Sequence, residues 1–270
     1  MRIFQKIVMG ARARLARKVE LCVLPNEDRA RVFREQTKSQ KPIECVWNMP
    51  GLEEVGPRKL KPNLQTPLKL FYGGSLAPAR LSPLVLQEII RLAGQIELEI
   101  VGYATYAAQK YIESVVSMNK ETGRKTITYH GALSRRSELL AVADSCEAAL
   151  CLMPMSSQDL NMRTMAGASN KPFDAMARGL AVVVSNILEW KNLYLPGDNH
   201  EGGKGYWISD MGYGIAINPE SGESIRSGLE WMLNNREKLW EMGERGRRRI
   251  REEWNYEQHF RKVQNALGSS

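Results

Sequence analysis

Short apolar runs alternate with amphipathic helical patterns along most of this chain. Six runs have the length and residue types of buried strands: Leu68–Tyr72, Ile96–Val101, Thr126–Tyr129, Ala148–Met153, Ala181–Val184 and Gly214–Ile217. Apolar residues at helical spacing predict helices over Pro83–Gly94, Thr105–Met118, Arg135–Asp144, Lys171–Arg178 and Ser221–Asn234. This alternation predicts an α/β fold with a Rossmann-like, doubly wound parallel sheet. Ligands bind such a sheet at the carboxyl ends of its strands.

The two ends of the chain extend this pattern. Residues 236–267 predict two more helices, broken near Trp254–Asn255 and packed outside the sheet. The first 60 residues predict a helix over about residues 3–18, a strand Leu21–Leu24, a helix Asn26–Glu35 and a strand Ile43–Trp47.

Two strands are too few to bury both faces of a sheet, so the leading strands need a further partner. They either extend the main sheet or belong to a second, incomplete α/β domain. The proline-rich stretch Pro50–Pro67 favours the second alternative, because it is typical of a linker between domains. We therefore expect one domain to end near residue 60 and the main domain to span residues 61–270.

Composition is that of an ordinary globular protein, with 43% hydrophobic and 25% charged residues among 270. No apolar run approaches the roughly 20 residues of a membrane span, and the N-terminus lacks the apolar core of a signal peptide, so we expect a cytoplasmic protein. The four cysteines contain no CxxC pair. They are expected to be reduced, with Cys146 and Cys151 in the core and no zinc site.

The net charge of +8 comes mainly from two clusters. Residues 1–19 contain six basic residues and no acid, while Ile3, Ile7, Ala11, Leu15 and Val19 recur at helical spacing. This basic amphipathic helix is expected either to lie on an anionic membrane, at its inner face, or to pack against a missing partner. The second cluster, between Arg245 and Arg251, alternates with glutamates and predicts a solvated helix face. Neither cluster is taken as a nucleic-acid interface.

A glycine pair follows the first strand of the main domain. Gly73, Gly74 and Ser75 precede Arg80 and the next helix, an arrangement in which backbone N–H groups and a guanidinium can contact phosphate. An ordinary tight turn is the alternative. The chain contains neither the GxGxxG pattern of dinucleotide-binding folds nor the GxxxxGK[ST] of P-loop proteins, which disfavours both classes.

The segment 161–186 carries the strongest chemical signal. Small residues at positions 166–169 lead into a helix that starts near Asn170, so its free N–H groups and helix dipole would suit a diphosphate. Asp174 follows in the first turns, where its carboxylate can accept two ribose hydroxyls. Alternatively, Asp174 only complements the positive N-terminus of the helix.

Residues 170–186, NKPFDAMARGLAVVVSN, resemble the signature of the retaining GT-B glycosyltransferases of the family 4-like group 1, in which K-x-F-E-x-M-A-x-G-x-P-V-V is typical. The runs FYGGSL, LEIVGY, YHGALSRRSELLAVADSCEAALCLMP and WNYEQHFRKV are similar to other parts of that family's donor domain. The resemblance covers nearly everything from Leu68 onward. Residues 1–60 look like the end of the acceptor-side domain and the start of the linker, and residues 61–270 like the nucleotide-sugar-binding domain.

The resemblance implies transfer of a sugar from a nucleoside diphosphate sugar, with retention and without a bound metal or other cofactor, in glycan biosynthesis. The acceptor is left open among a glycan, a lipid-linked sugar and a small molecule. Residues that orient it would lie mostly in the other domain, so no catalytic residue is named and the activity of this chain alone stays open. The donor-binding residues expected from the residues and the resemblance together are Gly73, Gly74, Ser75, Arg80, His130, Gly167, Ala168, Ser169, Asn170, Lys171 and Asp174. His130 ends a strand before Gly131 and is expected to line the cleft as a hydrogen-bonding residue rather than to bind a metal.

Two details of the resemblance concern the donor phosphates and the sugar. Ala168 and Ser169 would offer backbone N–H groups to the phosphates. The family often has two acids spaced E-x7-E, and the matching positions here are Ala166 and Asp174, so only the second acid is present.

Two other functions remain open. A non-catalytic nucleotide-sugar-binding module or pseudoenzyme is suggested by Ala166 and by the short leading segment. A GT-B-shaped epimerase would need histidines and carboxylates in its cleft, and this chain has only three histidines, His130, His200 and His259.

Overall fold

The computed structural model describes residues 2–104 and 109–268 of the chain. The strands are β1 (Cys22–Leu24), β2 (Ile43–Cys45), β3 (Leu68–Gly73), β4 (Ile96–Val101), β5 (Ile127–Tyr129), β6 (Ala148–Cys151), β7 (Ala181–Ser185), β8 (Asn199–Glu201), β9 (Tyr206–Ser209) and β10 (Gly214–Ile217). The helices are α1 (Arg2–Ala16), α2 (Glu27–Thr37), α3 (Pro83–Arg91), α4 (Gln109–Ser117), α5 (Asn119–Thr122), α6 (Arg136–Asp144), α7 (Leu160–Arg163), α8 (Asn170–Ala177), α9 (Leu188–Tyr194), α10 (Gly222–Asn234), α11 (Arg236–Glu252) and α12 (Tyr256–Gly268), with a 3₁₀ turn at Leu52–Glu54.

Eight strands form the main sheet in the order β5-β4-β3-β6-β7-β10-β9-β8. The strands from β5 to β10 in this order are parallel, and β9 and β8 add an antiparallel edge. From β3 the chain first builds towards β4 and β5, and then continues on the other side through β6, β7 and β10. The topological switch point therefore lies between β3 and β6, where a doubly wound sheet binds its ligand.

The alternation of side chains along each strand builds a core on each face of the sheet. Leu70 and Tyr72 of β3 pack into one core with α3 and α10, whereas Phe71 packs into the other with α8 and α11. Gly228 of α10 and Gly246 of α11 let these helices approach the sheet and α8 closely. The predicted doubly wound α/β fold is confirmed, and so is the burial of Cys146 and Cys151.

The predicted elements of the main domain all occur, most of them within two residues of their predicted bounds. The helix predicted from Thr105 begins at Gln109 in the described residues, and residues 105–108 lie outside them. The hairpin of β8 and β9 and the short helices α5, α7 and α9 were not predicted. The first strand of the hairpin, Asn-His-Glu, has no apolar residue and therefore gives no periodic signal.

The leading strands β1 and β2 pair with each other in parallel, with Cys22 opposite Ile43, in a sheet separate from the main one. They therefore do not extend the main sheet. The segment up to residue 60, called the leading unit below, contacts the main domain directly. The side-chain amide of Asn26 donates to the carbonyl oxygens of Thr164 and Ala166, at 3.0 and 2.7 Å.

Helix α1 packs against α2, where the guanidinium of Arg12 lies 4.7 Å from the centroid of the Phe33 ring. The apolar stripe of α1 points the other way. Ile3, Ile7 and Leu15 are 76%, 64% and 63% exposed. No helix in residues 2–104 and 109–268 is both long enough and apolar enough to cross a membrane.

The predicted solvated face of the second arginine cluster is wrong for part of α11. Arg247 and Glu244 are buried and form an ion pair at 3.0 Å, beneath the segment that leads into the main domain. Glu244 accepts the backbone N–H of Lys59, and Arg247 donates to the carbonyl oxygen of Gly56. Basic and acidic residues do alternate along α11, but residues 56–59 cover the helix face that carries Glu244 and Arg247.

Candidate functional site

A cavity of about 320 Å³ opens at the topological switch point, between the carboxyl ends of β3 and β6. The loop after β3, the start of α6 and the start of α8 form its walls. Eight of the predicted site residues line it: Gly73, Gly74, Ser75, Arg80, Ser169, Asn170, Lys171 and Asp174. Tyr103 and Arg136, which the sequence did not suggest, also line it.

The loop after β3 takes its shape from two glycines. Gly74 has φ +125°, a conformation that side-chain-bearing residues rarely adopt. Gly102, at the end of β4, lies against the carbonyl of Gly74, so that a Cβ at this position would collide with it. The N–H of Gly74 donates to the carbonyl oxygen of Val101, and that of Leu76 to Tyr103. Within the described part of the chain, the N–H of Ser75 between them has no acceptor.

Helix α8 begins at the opposite wall. The N–H groups of its first two residues, Asn170 and Lys171, have no intrahelical acceptor. The structure differs here from the prediction: the N–H groups of Ala168 and Ser169 both donate to the carbonyl oxygen of Met165 and are already satisfied. The tight turn before the helix uses these two N–H groups. The available donors are instead the N–H groups of the next two residues, Asn170 and Lys171.

Gly167 and Ala168 do not line the cavity. Gly167 has φ +73°, and its Cα faces the indole of Trp47 in the leading unit. Its carbonyl oxygen accepts the N–H of Asn48, and that of Ala168 accepts the Asn48 side-chain amide. These two residues therefore contact the leading unit.

Two cationic side chains besides Arg136 line the cavity, Arg80 and Lys171. The Nζ of Lys171 donates to the hydroxyl of Tyr72 at 2.9 Å and lies 4.1 Å from the centroid of its ring. Burial, together with the charge of Arg80, lowers the pKa of Lys171 to about 8. No carboxylate of the described residues lies within 4 Å of the charged groups of Lys171 or Arg80. This wall of the cavity therefore carries positive charge without an anion.

Asp174 lies one turn into α8 and is 9% exposed. Both of its carboxylate oxygens accept hydrogen bonds from the guanidinium of Arg136, at 2.6 and 3.1 Å. Burial raises the pKa of Asp174, and the hydrogen bonds and charge of Arg136 oppose this rise. Arg136 also forms an ion pair with Glu54, which precedes the main domain. Asp174 is therefore paired with the guanidinium of Arg136 in this structure.

His130 lies away from this cluster. Its Nε2 is 2.6 Å from the Oε2 of Glu99 on β4, and the ring does not line the cavity. Ala166, at the position of the first acid of the E-x7-E pair, also lies outside the cavity, with its carbonyl oxygen bound to Asn26.

Comparison with solved structures gives the fold of this chain as that of the GT-B glycosyltransferases. HepE of Anabaena, crystallised in complex with UDP and glucose, superposes with a TM-score of 0.66 at 11% identity, over 97% of this chain and 67% of that chain. Sucrose-phosphate synthase of Thermosynechococcus elongatus superposes with a TM-score of 0.66 at 14% identity, over 98% of this chain and 61% of that chain. The C-terminal domain of the group 1 family glycosyl transferase LpcC of Francisella tularensis superposes with a TM-score of 0.56 at 13% identity, over 76% of this chain and 98% of that domain.

No protein-family model matches the sequence, and no curated protein is similar to it in sequence. The likeness is thus one of fold. This chain spans about two thirds of the length of HepE and 61% of that of the sucrose-phosphate synthase, but nearly all of the isolated LpcC domain.

Proposed function

Because the chain has the GT-B glycosyltransferase fold, we propose that it binds a nucleoside diphosphate sugar in the cavity between β3 and β6. The observation that carries this proposal is the uncompensated positive charge of Arg80 and Lys171 in a cavity that the loop after β3 and the N-terminus of α8 also line. A helix N-terminus with two cations is suited to a diphosphate. The HepE structure was solved with UDP, which favours uridine as the nucleoside.

Each group in the cavity then has a role. Arg80 and Lys171 bind the diphosphate oxygens, together with the backbone N–H groups of Ser75 and Asn170. Asp174 accepts hydroxyls of the ribose. When the sugar leaves the diphosphate, negative charge grows on the phosphate oxygens, and the same cations and N–H groups stabilise it.

The reaction we propose is transfer of a hexose to an acceptor hydroxyl with retention at the anomeric carbon, in glycan biosynthesis in the cytoplasm. The resemblance of residues 170–186 to the retaining family supports this part. The acceptor is a glycan, a lipid-linked sugar or a small molecule, and we assign transfer to the whole protein rather than to this chain alone.

A non-catalytic nucleotide-sugar-binding module is the second candidate, and Ala166 is the observation that favours it. The family often has an acid here that touches the sugar, whereas this chain has a methyl group outside the cavity. Nucleotide binding is common to both candidates, and only turnover separates them.

The testing experiment measures binding first and turnover second. The melting temperature of the chain is followed with millimolar UDP, GDP, ADP and pyrophosphate, since a ligand at one hundred times its Kd stabilises the fold by about 2.7 kcal/mol. Absence of a shift with every nucleotide would overturn the proposed donor site. Release of UDP from UDP-sugars, alone or with acceptor mixtures, then distinguishes the transferase from the binding module.

We also propose an anionic membrane surface as a partner of α1. Its exposed stripe of Ile3, Ile7 and Leu15 lies opposite the face that packs on α2. Basic residues flank this stripe, and residues 1–19 contain no acid. Apolar burial and attraction to anionic headgroups then act on the same face.

A further inference from the structure

A chain of three charged side chains connects the ribose-binding carboxylate to the segment before the main domain. Arg136, the first residue of α6, donates to both oxygens of Asp174 and also pairs with Glu54. We infer that Arg136 is a positioning residue for the donor nucleoside: it holds Asp174 ionised and oriented so that the ribose hydroxyls can bind. This inference rests on the proposed nucleotide site.

Asp174 needs such a partner because of where it lies. A buried carboxylate without a counter-charge takes up a proton. A protonated carboxyl carries an O–H donor and keeps only part of its capacity to accept hydroxyls. Arg136 supplies the positive charge through a fork of two hydrogen bonds. A carboxylate offers about four lone-pair directions, so this fork leaves two of them for the ribose.

The other charged groups around Asp174 do not replace Arg136. Glu54 is an anion, and it raises the pKa of Asp174. Lys171 and Arg80 line the same cavity, but Lys171 donates to the hydroxyl of Tyr72 on β3, and neither forms an ion pair with Asp174 among the described residues. Cys151 on β6, which also lines the cavity, is neutral because burial raises its pKa to about 12.

Glu54 holds Arg136 from the opposite side. Its backbone carbonyl accepts a hydrogen bond of 2.9 Å from Arg178 at the end of α8, and Arg178 also pairs with Asp144 at the end of α6. The backbone of Glu54 is thereby held beside the ends of α6 and α8, which places its carboxylate next to Arg136. We therefore expect Glu54 to share in the orientation of Arg136, with a smaller effect than Arg136 itself.

The test compares UDP with pyrophosphate, since only UDP carries a ribose. Variants Arg136→Gln and Arg136→Lys are measured by calorimetry between pH 5.5 and 8, with Arg135→Gln as control. Arg135 is the adjacent arginine, and its side chain pairs with Glu138 on the surface. Dividing each variant's affinity by that of the wild type at the same pH cancels the titration of the phosphates and of Lys171.

We expect Arg136→Gln to lower the UDP affinity at least tenfold near pH 6, with a smaller loss as the pH rises and Asp174 ionises. Pyrophosphate binding and the Arg135→Gln control should stay within twofold of the wild type, and Arg136→Lys should recover part of the loss. Because Arg136→Lys keeps the charge, it also serves as the readout if the glutamine variant does not fold.

The other outcomes distinguish failure of the proposed nucleotide site from failure of the role of Arg136. If wild type binds UDP and Arg136→Gln binds it equally at every pH, the role of Arg136 is overturned while the nucleotide site stands. If the variant loses UDP and pyrophosphate equally, Arg136 supports the cavity as a whole and does not position the ribose acceptor. If wild type binds neither ligand, the nucleotide site and the role of Arg136 both fail.

Discussion

The ammonium group of Lys171 lies 4.1 Å from the centroid of the Tyr72 ring and donates a hydrogen bond to the hydroxyl of the same residue. Tyr72 is fully buried at the end of β3, and Lys171 is the second residue of α8. This contact connects the strand on one side of the switch point to the helix on the other. It also holds a cation in the cavity, with no carboxylate of the described residues within 4 Å of it.

We therefore expect Lys171→Met to weaken both UDP and pyrophosphate binding by about 1.5–3 kcal/mol, the usual worth of a hydrogen bond to a charged group. The wild-type affinity for pyrophosphate should also fall as the pH rises above about 8, where Lys171 loses its charge, and the variant should lack this fall. Calorimetry at pH 7 and pH 9 measures both effects. Equal affinities of variant and wild type at pH 7 would remove Lys171 from the phosphate site.

The same substitution has a predictable effect on stability. The pKa of Lys171 is about 8 in the folded chain, whereas an unfolded lysine has a pKa near 10.4. Between these values the unfolded chain binds one more proton, so the free energy of unfolding rises with pH in this window and the charged form costs stability below it. Urea titrations at pH 7 and pH 9.5 should show Lys171→Met gaining stability relative to wild type at pH 7 and losing that advantage at pH 9.5.

Asp174→Asn should distinguish a ribose acceptor from a helix-supporting carboxylate. Asparagine keeps the shape but loses the charge, so we expect UDP affinity to fall by about 1–3 kcal/mol while pyrophosphate affinity is retained. A dideoxy UDP without the two ribose hydroxyls provides the control, because its affinity should not respond to the substitution. Equal losses for UDP, its dideoxy analogue and pyrophosphate would instead assign Asp174 to the support of α8.

The fold was accessible from the sequence because the main domain repeats one strong signal. Buried parallel strands such as Ala181–Ser185 have no polar residue before the last position, and amphipathic helices with clear ends separate them. Residue types that end and begin helices lie at two of these bounds: Gly179 follows α8 with a positive φ, and Ser221 is the N-cap of α10. The polar hairpin of β8 and β9 lacked this signal.

The candidate site was accessible only in part. The loop Gly73–Ser75 and the start of α8 follow strands that a doubly wound sheet places side by side, which is why the sequence could indicate them together. Arg136 is 38 residues from Asp174, and no spacing rule connects the two. Its one signal was its position at the start of the helix after β5, at the same edge of the sheet. The N–H groups of Ala168 and Ser169 donate to Met165 within a turn, and the residue types at these positions do not specify such a turn.

Gly102→Ala should perturb the cavity without touching its charged residues. The added Cβ would collide with the carbonyl oxygen of Gly74, so the loop after β3 must move. We expect a loss of stability of about 1–3 kcal/mol, typical of overpacking, together with weaker pyrophosphate binding. Gly10→Ala is the matched control, since a Cβ there meets nothing within 4 Å and alanine favours a helix. Unchanged melting and binding in Gly102→Ala would show that the loop is not held in this conformation.

The exposed stripe of α1 allows the membrane proposal to be tested apart from the nucleotide site. We expect the chain to sediment with vesicles containing phosphatidylglycerol and not with pure phosphatidylcholine, and salt to weaken this binding, because each basic residue near the surface contributes about 1 kcal/mol of screened attraction. Replacing Ile3 and Ile7 together by Asp should abolish sedimentation while UDP binding is retained. Leu60→Asp is the control, since Leu60 is 92% exposed but lies outside α1. If the double variant still sediments, the stripe does not bind lipid. If wild type is a dimer and the double variant a monomer, the stripe pairs with another copy of the chain instead of with lipid.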